Sequence, residues 1–358
     1  METRTGPSLR DAPGERKPRS ERGFHARRTT MTDVANEARV SQTTVSLVLN
    51  RADGARLSSQ TRERVIRAAA KLGYRPGRRG GAPGSSRGAA IGFICDEIST
   101  DPWTSIGFDG VREKAWERGF VVSVVATRGD ADMERAALAQ LASQPLLGLI
   151  YATINTRLIH APTALPPIPT VLLNCHVANC ALPSVVPGEV AGGHAATDFL
   201  LRAGHRRIGY INGEPGMEAS RHRLKGYRQA LATADLPFDP DLVLEGNWQP
   251  LSGYECAHEL MRLPSPPSAI FCGNDLMAVG CYEALRELGM RIPDDVAVMG
   301  YDDREIAQHL HPPLTTILLP HFEMGTIAAE ILFDTAARPT ERAEQIKVEC
   351  PIVRRRSV

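Results

Sequence analysis

The chain has 358 residues, too many for one ordinary compact domain, and its 42% hydrophobic and 23% charged content excludes a wholly disordered protein. Its longest apolar runs, such as residues 145–152 and 296–299, fall far short of the roughly 20 residues a membrane span needs, so no membrane partner is expected. The net charge of +1 hides an asymmetry: 19 basic against 8 acidic residues up to Ala90, and 23 against 33 beyond it, a basic head on an acidic body that points to a polyanion partner for the head.

Residues 1–28 are rich in Pro, Gly, Ser and Arg, hold no apolar signal-peptide core, and read as a disordered basic extension or an over-long translation start. Residues 29–75 predict three short helices. Thr30, with Asp33 three residues on, caps the first, whose Val34, Ala35 and Ala38 share a face. Ser41 caps the second, with Val45, Val48 and Leu49 turned inward. Ser58 caps the third, where Val65, Ile66, Ala69 and Leu72 form a stripe ended by Gly73. Residues 76–90 are a Gly-rich hinge. After it, short β-rich runs at 90–95, 120–126, 147–151, 170–173, 207–211, 268–272 and 296–299 alternate with amphipathic helical stretches. That alternation predicts βαβ units and parallel sheets, and its length predicts two α/β lobes with ligands outside the carboxyl ends of the strands.

Two short helices joined by the tight turn Ala38-Arg39-Val40-Ser41, on a basic segment, predict a helix-turn-helix for double-stranded DNA. The second helix must enter the major groove with its outer face free. In this register Gln42, Thr43, Ser46 and Leu47 fall outward. Gln can pair with adenine, Thr with several base edges, and Leu with a thymine methyl. Thr30, Ser41 and Asn50 are placed to hold phosphates.

At these residues the sequence resembles the lactose/galactose repressor (LacI/GalR) family of bacterial transcription regulators. The head carries Thr32-Asp33-Val34-Ala35-Asn36-Glu37-Ala38-Arg39-Val40-Ser41-Gln42-Thr43-Thr44-Val45-Ser46-Leu47-Val48-Leu49-Asn50, then Leu72-Gly73-Tyr74-Arg75-Pro76. The body carries Ala203-Gly204-His205-Arg206-Arg207-Ile208-Gly209, Arg223-Leu224-Lys225-Gly226-Tyr227, Asn274-Asp275, Gly300-Tyr301-Asp302-Asp303 and Pro313-Leu314-Thr315-Thr316. The resemblance implies a small all-α helix-turn-helix head and a two-lobed α/β body with parallel sheets, like the periplasmic sugar-binding proteins. Lobe 1 is expected at about 91–187 and 319–340, lobe 2 at about 188–318 and 341–356. It further implies a homodimeric repressor on a palindromic operator, whose affinity is controlled by a small effector held between the lobes, usually a sugar or nucleobase, here expected to be a carbohydrate. The seven irregularly spaced cysteines suggest reduced thiols and a cytoplasmic protein.

Three departures stand out. Arg39 replaces the usual turn glycine, so the turn must tolerate a side chain or leave the left-handed region. Leu47 stands where many members place a base-reading arginine. The hinge 77–83 is rich in Gly and Arg where the family has a short helix. Pro83 falls at the place of the minor-groove leucine, and Arg78 and Pro83 are the DNA contacts expected there. Disorder of this hinge in the absence of DNA is expected.

By the same resemblance Arg223, Asn274 and Asp302 are the polar residues of the ligand pocket, with Trp248 and Trp103 as aromatic platforms. The chemistry suits a polyol: Arg offers a fork of donors, Asp accepts, and Asn does both. Residues 153–156 carry no acid to match the polar residue some members use after the third strand. Cys175-His176 and Cys180 lack a second ligand pair, so no metal is expected, and no cofactor. No nucleophile motif or acid/base pair points to an enzyme; Asp302 and Asp303 should diverge, and Gly192-Gly193 reads as a close-packing site rather than a phosphate cradle. A transporter's solute-binding protein and a sugar-modifying enzyme are the competing readings. The chain's end lacks leucine heptads, which predicts a dimer and not a tetramer.

Overall fold

The computed structural model describes residues 31–49, 59–72, 90–160, 165–338 and 343–358, in two compact units, a head and a body that divide at Gly80/Gly81.

The described residues of the head form three helices, α1 (Met31–Ala38), α2 (Gln42–Leu49) and α3 (Ser59–Lys71). Val34, Ala35, Ala38, Val45, Val48, Val65, Ala68 and Ala69 form its core. Ile66, expected in that stripe, is instead 53% exposed. Ala68 takes the inward place, because Ile66 lies a full 100° around the helix from Val65. Ser41 caps α2 as expected, its Oγ accepting the Thr44 N–H at 3.1 Å. Arg39 keeps the left-handed turn at φ +54°, so the chain bears a strain that glycine would not. Lys71 ties α3 to Glu37 of α1 at 2.7 Å.

The body's first sheet contains β1 (Ala90–Cys95), β2 (Val121–Ala126), β3 (Leu146–Ile159), β4 (Thr170–Val177), β5 (Ser184–Pro187) and β11 (Gln345–Val348), all parallel, in the order β2-β1-β3-β4-β5-β11. Its strands are near-continuous apolar runs, as parallel strands covered on both faces require. Helices α4 (Trp103–Glu117) and α11 (His321–Ala337) cover one face, and α5 (Ala131–Ala142) the other. Ala90, placed in the hinge by the sequence, opens β1.

The second sheet contains β6 (Ile208–Asn212), β7 (Val243–Glu245), β8 (Ala269–Cys272) and β9 (Ala297–Met299), parallel in the order β7-β6-β8-β9. Helices α6 (Glu189–Arg202) and α7 (Glu218–Thr233) pack on one face, α8 (Pro250–Met261) and α9 (Asp275–Glu287) on the other. Gly193 and Gly226 let α6 and α7 touch backbone to backbone, and a Cβ at Gly192 would overlap the Tyr301 ring. The Gly192-Gly193 pair is a packing device.

The chain crosses between lobes three times, after β5, after β10 (Thr316–Ile317) and after β11. The last crossing corrects the expected boundary: residues 341–356 do not belong wholly to lobe 2, because Gln345–Val348 adds a strand to the first sheet beside β5. Only then does β12 (Ile352–Val353) return to pair with β10. No helix of the described residues is long and apolar enough to cross a membrane.

Candidate functional site

Strand order reverses between β1 and β3 in one sheet and between β6 and β8 in the other. Such switch points open a crevice at the carboxyl ends of the strands. The body has a cavity of about 260 Å³ there, lined from both lobes, and all five residues expected for the ligand lie on it: Trp103 from lobe 1, and Arg223, Trp248, Asn274 and Asp302 from lobe 2. That is slightly below the roughly 300–1,000 Å³ of drug-sized pockets.

Arg223 is placed as expected but engaged otherwise. Its fork is clasped by Glu189, Nε to Oε2 at 2.7 Å and Nη2 to Oε1 at 2.9 Å, while Nη1 donates to the Gly273 carbonyl. The guanidinium also lies 3.7 Å from the centroid of the Tyr301 ring. Burial works against the Arg223 charge, but the Glu189 carboxylate outweighs it and raises the pKa. One N–H on each terminal nitrogen is left for a ligand. Glu189 opens α6 at the first crossing and was missed in the sequence; an acid following Pro187-Gly188 at a strand end was its only signal.

Asp302 sits 3.6 Å from Arg223 Nη1 and 3.5 Å from Arg304 Nε, ion-pair distances that leave its lone pairs to a ligand. Burial pushes its carboxyl up to about 7, against the pull of both guanidiniums. Its backbone has φ +110°, a strained geometry held by bonds from its N–H to the Ile317 carbonyl and from the Leu319 N–H to its own carbonyl. Asp303 turns away to Arg355 at 2.6 Å, so the two carboxylates diverge. Beneath them Asp275 accepts from Thr316 Oγ1 at 2.6 Å and the Arg304 N–H at 2.7 Å; burial, then the Asp302 charge, raises its pKa.

Asn274 spends its amide on the fold. Its Oδ1 caps α9 through the Met277 N–H at 2.8 Å, and its Nδ2 holds the Trp248 carbonyl at 3.0 Å. Trp248, at φ +67°, lies across Gly213, where a Cβ would overlap its ring. Trp103 is not a bare platform, because His321 stacks on it at 5.2 Å and 22° and Arg304 lies 4.8 Å from its ring centroid. Burial pulls the His321 imidazole down to about 4.

Residues 153–156 carry no acid, but Asn155 and Thr156 line the cavity, and so does Asn174 of the next strand. Asn174, at φ +59°, donates to the Thr153 and Ile154 carbonyls at 2.9 Å and accepts from Thr156 Oγ1 at 2.6 Å, pinning β3 where it overhangs the cleft. Asn174 breaks the apolar run inside β4, a legible signal for a polar residue at the cavity. His176 meets Glu218 across the cleft at 3.1 Å, and Cys175 is buried, its thiol pushed up to about 12 by burial.

In the head, Ser41 is exposed and Gln42 half-buried, at the start of α2. Thr43, Ser46 and Leu47 are described as helix positions only. Thr30, Asn50, Arg78 and Pro83 lie outside the described residues, as do hinge residues 76–89.

A model of bacterial regulatory proteins of the lacI family matches residues 30–77, and one of a periplasmic binding protein-like domain matches residues 197–358. The ribose operon repressor of Haemophilus influenzae is 32% identical over 330 residues, 92% of this chain and 98% of that one. A transcriptional regulator CelR–cellobiose complex is 32% identical, with a TM-score of 0.62 over 92% of this chain and all of that one. The lac repressor dimer bound to operator and an anti-inducer is 26% identical, with a TM-score of 0.64 over 92% of this chain and 99% of that one.

Proposed function

We infer that this chain, which belongs to the LacI family and is a ligand-controlled DNA-binding repressor, senses an uncharged polyhydroxylated molecule of sugar size. The charge of the cleft carries the reading. Four carboxylates line it, Asp101, Glu189, Glu214 and Asp302, against two guanidiniums, Arg223 and Arg304, both already paired. A phosphate or carboxylate on the ligand would meet an excess of negative charge. A row of hydroxyls can donate to Asp302 and accept the remaining N–H groups of Arg223, while the apolar side of the ring packs against Trp248. Relatives that carry ribose or cellobiose in their names agree with that class.

DNA is read by α2. Gln42, Thr43, Ser46 and Leu47 contact base edges, and Ser41, with Thr30 and Asn50, holds phosphates. Arg78 and Pro83 of the hinge meet the minor groove. The protein works in the cytoplasm, where its operator is. It does so as a homodimer on a two-fold symmetric site, since such a head reads half-sites about one turn apart. A second copy covers the apolar edge of lobe 1, where Trp116, Val121 and Val124 are 52, 59 and 44% exposed on α4 and the edge strand β2. An edge strand with apolar residues in water is otherwise an aggregation template.

The test is fluorescence anisotropy on labelled DNA from upstream of the protein's own gene. It is read with and without D-ribose, cellobiose, their phosphates and free purine bases. Binding that survives random competitor DNA and shifts with a neutral sugar, but not with its phosphate, supports the reading; a response to the phosphate alone overturns it. The direction of the shift tells inducer from co-repressor.

A further inference from the structure

Among the described residues two polar pairs bridge the cleft: Asp101 of lobe 1 with Arg304 of lobe 2, and His176 of lobe 1 with Glu218 of lobe 2. Glu218 meets His176 at the rim, whereas Arg304 sits inside the cavity. Arg304 is the residue after Asp302-Asp303, at the start of α10 (Glu305–His309), and the resemblance gave it no role.

Its position is fixed from three sides. The backbone N–H donates to the buried Asp275 carboxylate at 2.7 Å, so the root of the side chain cannot drift. Nη2 donates to Asp101 Oδ1 of the opposite lobe at 2.5 Å. The guanidinium carbon lies 4.8 Å from the centroid of the Trp103 ring, also on the opposite lobe. Nε is different: it is buried and makes no hydrogen bond, standing 3.5 Å from Asp302 Oδ2. A buried donor without an acceptor is costly unless something else supplies one. Here Arg304 and Asp302 line the same cavity.

We propose that Arg304 couples effector occupancy to lobe closure: Nε donates to an oxygen of the effector beside Asp302, while Nη2 clasps Asp101 across the cleft. This rests on the effector reading above for its first half only. One planar guanidinium then serves both tasks, which a lysine cannot do, since an ammonium is a single point of charge. The clasp also acts without effector. Asp101 and Trp103 hold Arg304 directly across the cleft, and the effector adds its own acceptor beside Asp302. Arg304 is therefore a positioning residue whose loss alters closure and affinity together, whereas loss of Asp101 alters closure and leaves the effector's own hydrogen bond in place.

Small-angle X-ray scattering on the full chain without sugar, at low and high salt, tests the clasp. Wild type is expected to be compact, with a larger radius of gyration for Asp101→Asn and Arg304→Ala, and recovery in Asp101→Glu. Identical scattering from wild type, Asp101→Asn and Arg304→Ala, with melting temperatures showing each is folded, overturns the clasp. Calorimetric titration with D-ribose and cellobiose tests the first half. Arg304→Lys should weaken whichever sugar binds wild type by tenfold or more, and Asp101→Glu by less than threefold. Equal affinity in Arg304→Lys and wild type overturns the coupling. If neither sugar binds wild type, the effector reading is what has failed, and the scattering result still decides the clasp.

Discussion

The buried pair Arg223–Glu189 can be taken apart and put back. Both side chains are about 4% exposed, and Glu189 supplies two of the three hydrogen bonds that Arg223 makes. Glu189→Leu leaves a guanidinium in the interior with the Gly273 carbonyl and with Asp302 at 3.6 Å. Removing one partner of such a pair costs about 3–5 kcal/mol. Asp302 takes over part of the duty, since losing the Glu189 charge removes one of the causes that raise its pKa, so the lower end, about 3 kcal/mol, is expected. Arg223→Met alone strands Glu189 and should cost a similar amount. The double replacement removes both charges and should fall within about 1 kcal/mol of wild type, a coupling of roughly 5 kcal/mol. Urea unfolding followed by tryptophan fluorescence reads the body alone, because Trp103, Trp116 and Trp248 all lie there. A single variant that loses less than about 1 kcal/mol, or a double whose loss equals the sum of the singles, would refute the reasoning.

Four further outcomes are expected. Arg39→Gly should relieve the left-handed turn by about 1 kcal/mol, read as roughly fivefold greater amide protection across α1 and α2; unchanged protection would show that the turn stores no strain. Gly226→Ala should cost about 3 kcal/mol, because its methyl would meet the Val190 carbonyl and the His194 N–H of α6, backbone that cannot step aside; a melting temperature equal to wild type would count against that contact. Gly213→Ala should push Trp248 off its seat and weaken sugar binding without unfolding the body, and undiminished affinity in a calorimetric titration would remove Trp248 from the pocket. His321 holds fewer protons folded than unfolded between pH about 4 and its ordinary 6.5, so stability falls as pH drops through that window, by up to about 3 kcal/mol. His321→Asn should flatten this slope, and a wild-type-to-variant difference that is the same at pH 7 and pH 5 would disprove the burial of a neutral imidazole.

The layered architecture could be read from the chain because its strands announce themselves as short apolar runs. Residues 90–95 and 268–272 emerge within one residue of expectation, since a parallel strand between two helical layers must be apolar on both sides. Residues 345–348 did not, because the edge strand Gln-Ile-Lys-Val is half polar and its place is set by the neighbouring β5 rather than by its own pattern. Ile66 misled for a related reason: an apolar residue at a helix flank is assigned to the core by period, but α3 buries Ala68 instead. In the cleft, the motif residues Arg223, Asn274 and Asp302 all line the cavity. Their partners stayed hidden, since Glu189, Asn174 and Arg304 lie far apart in sequence and meet only through the two sheets. That Arg223 spends its fork on a carboxylate, and Asn274 its amide on a helix cap, is a statement about three-dimensional neighbours that no local pattern holds.

Those double duties divide the cleft into two kinds of position. Asn174, Asn274, Arg223 and Glu189 hold strands and helices in place while they face the cavity, so a change at any of them is felt as misfolding before it is felt as altered taste for a ligand. Asn155 of β3 and the loop residues Glu214 and Gln249 line the same cavity and are exposed. A lineage drifting toward a new signal molecule has its freedom at those three, and a library meant to retune the repressor should be drawn there first, with the four anchors left untouched.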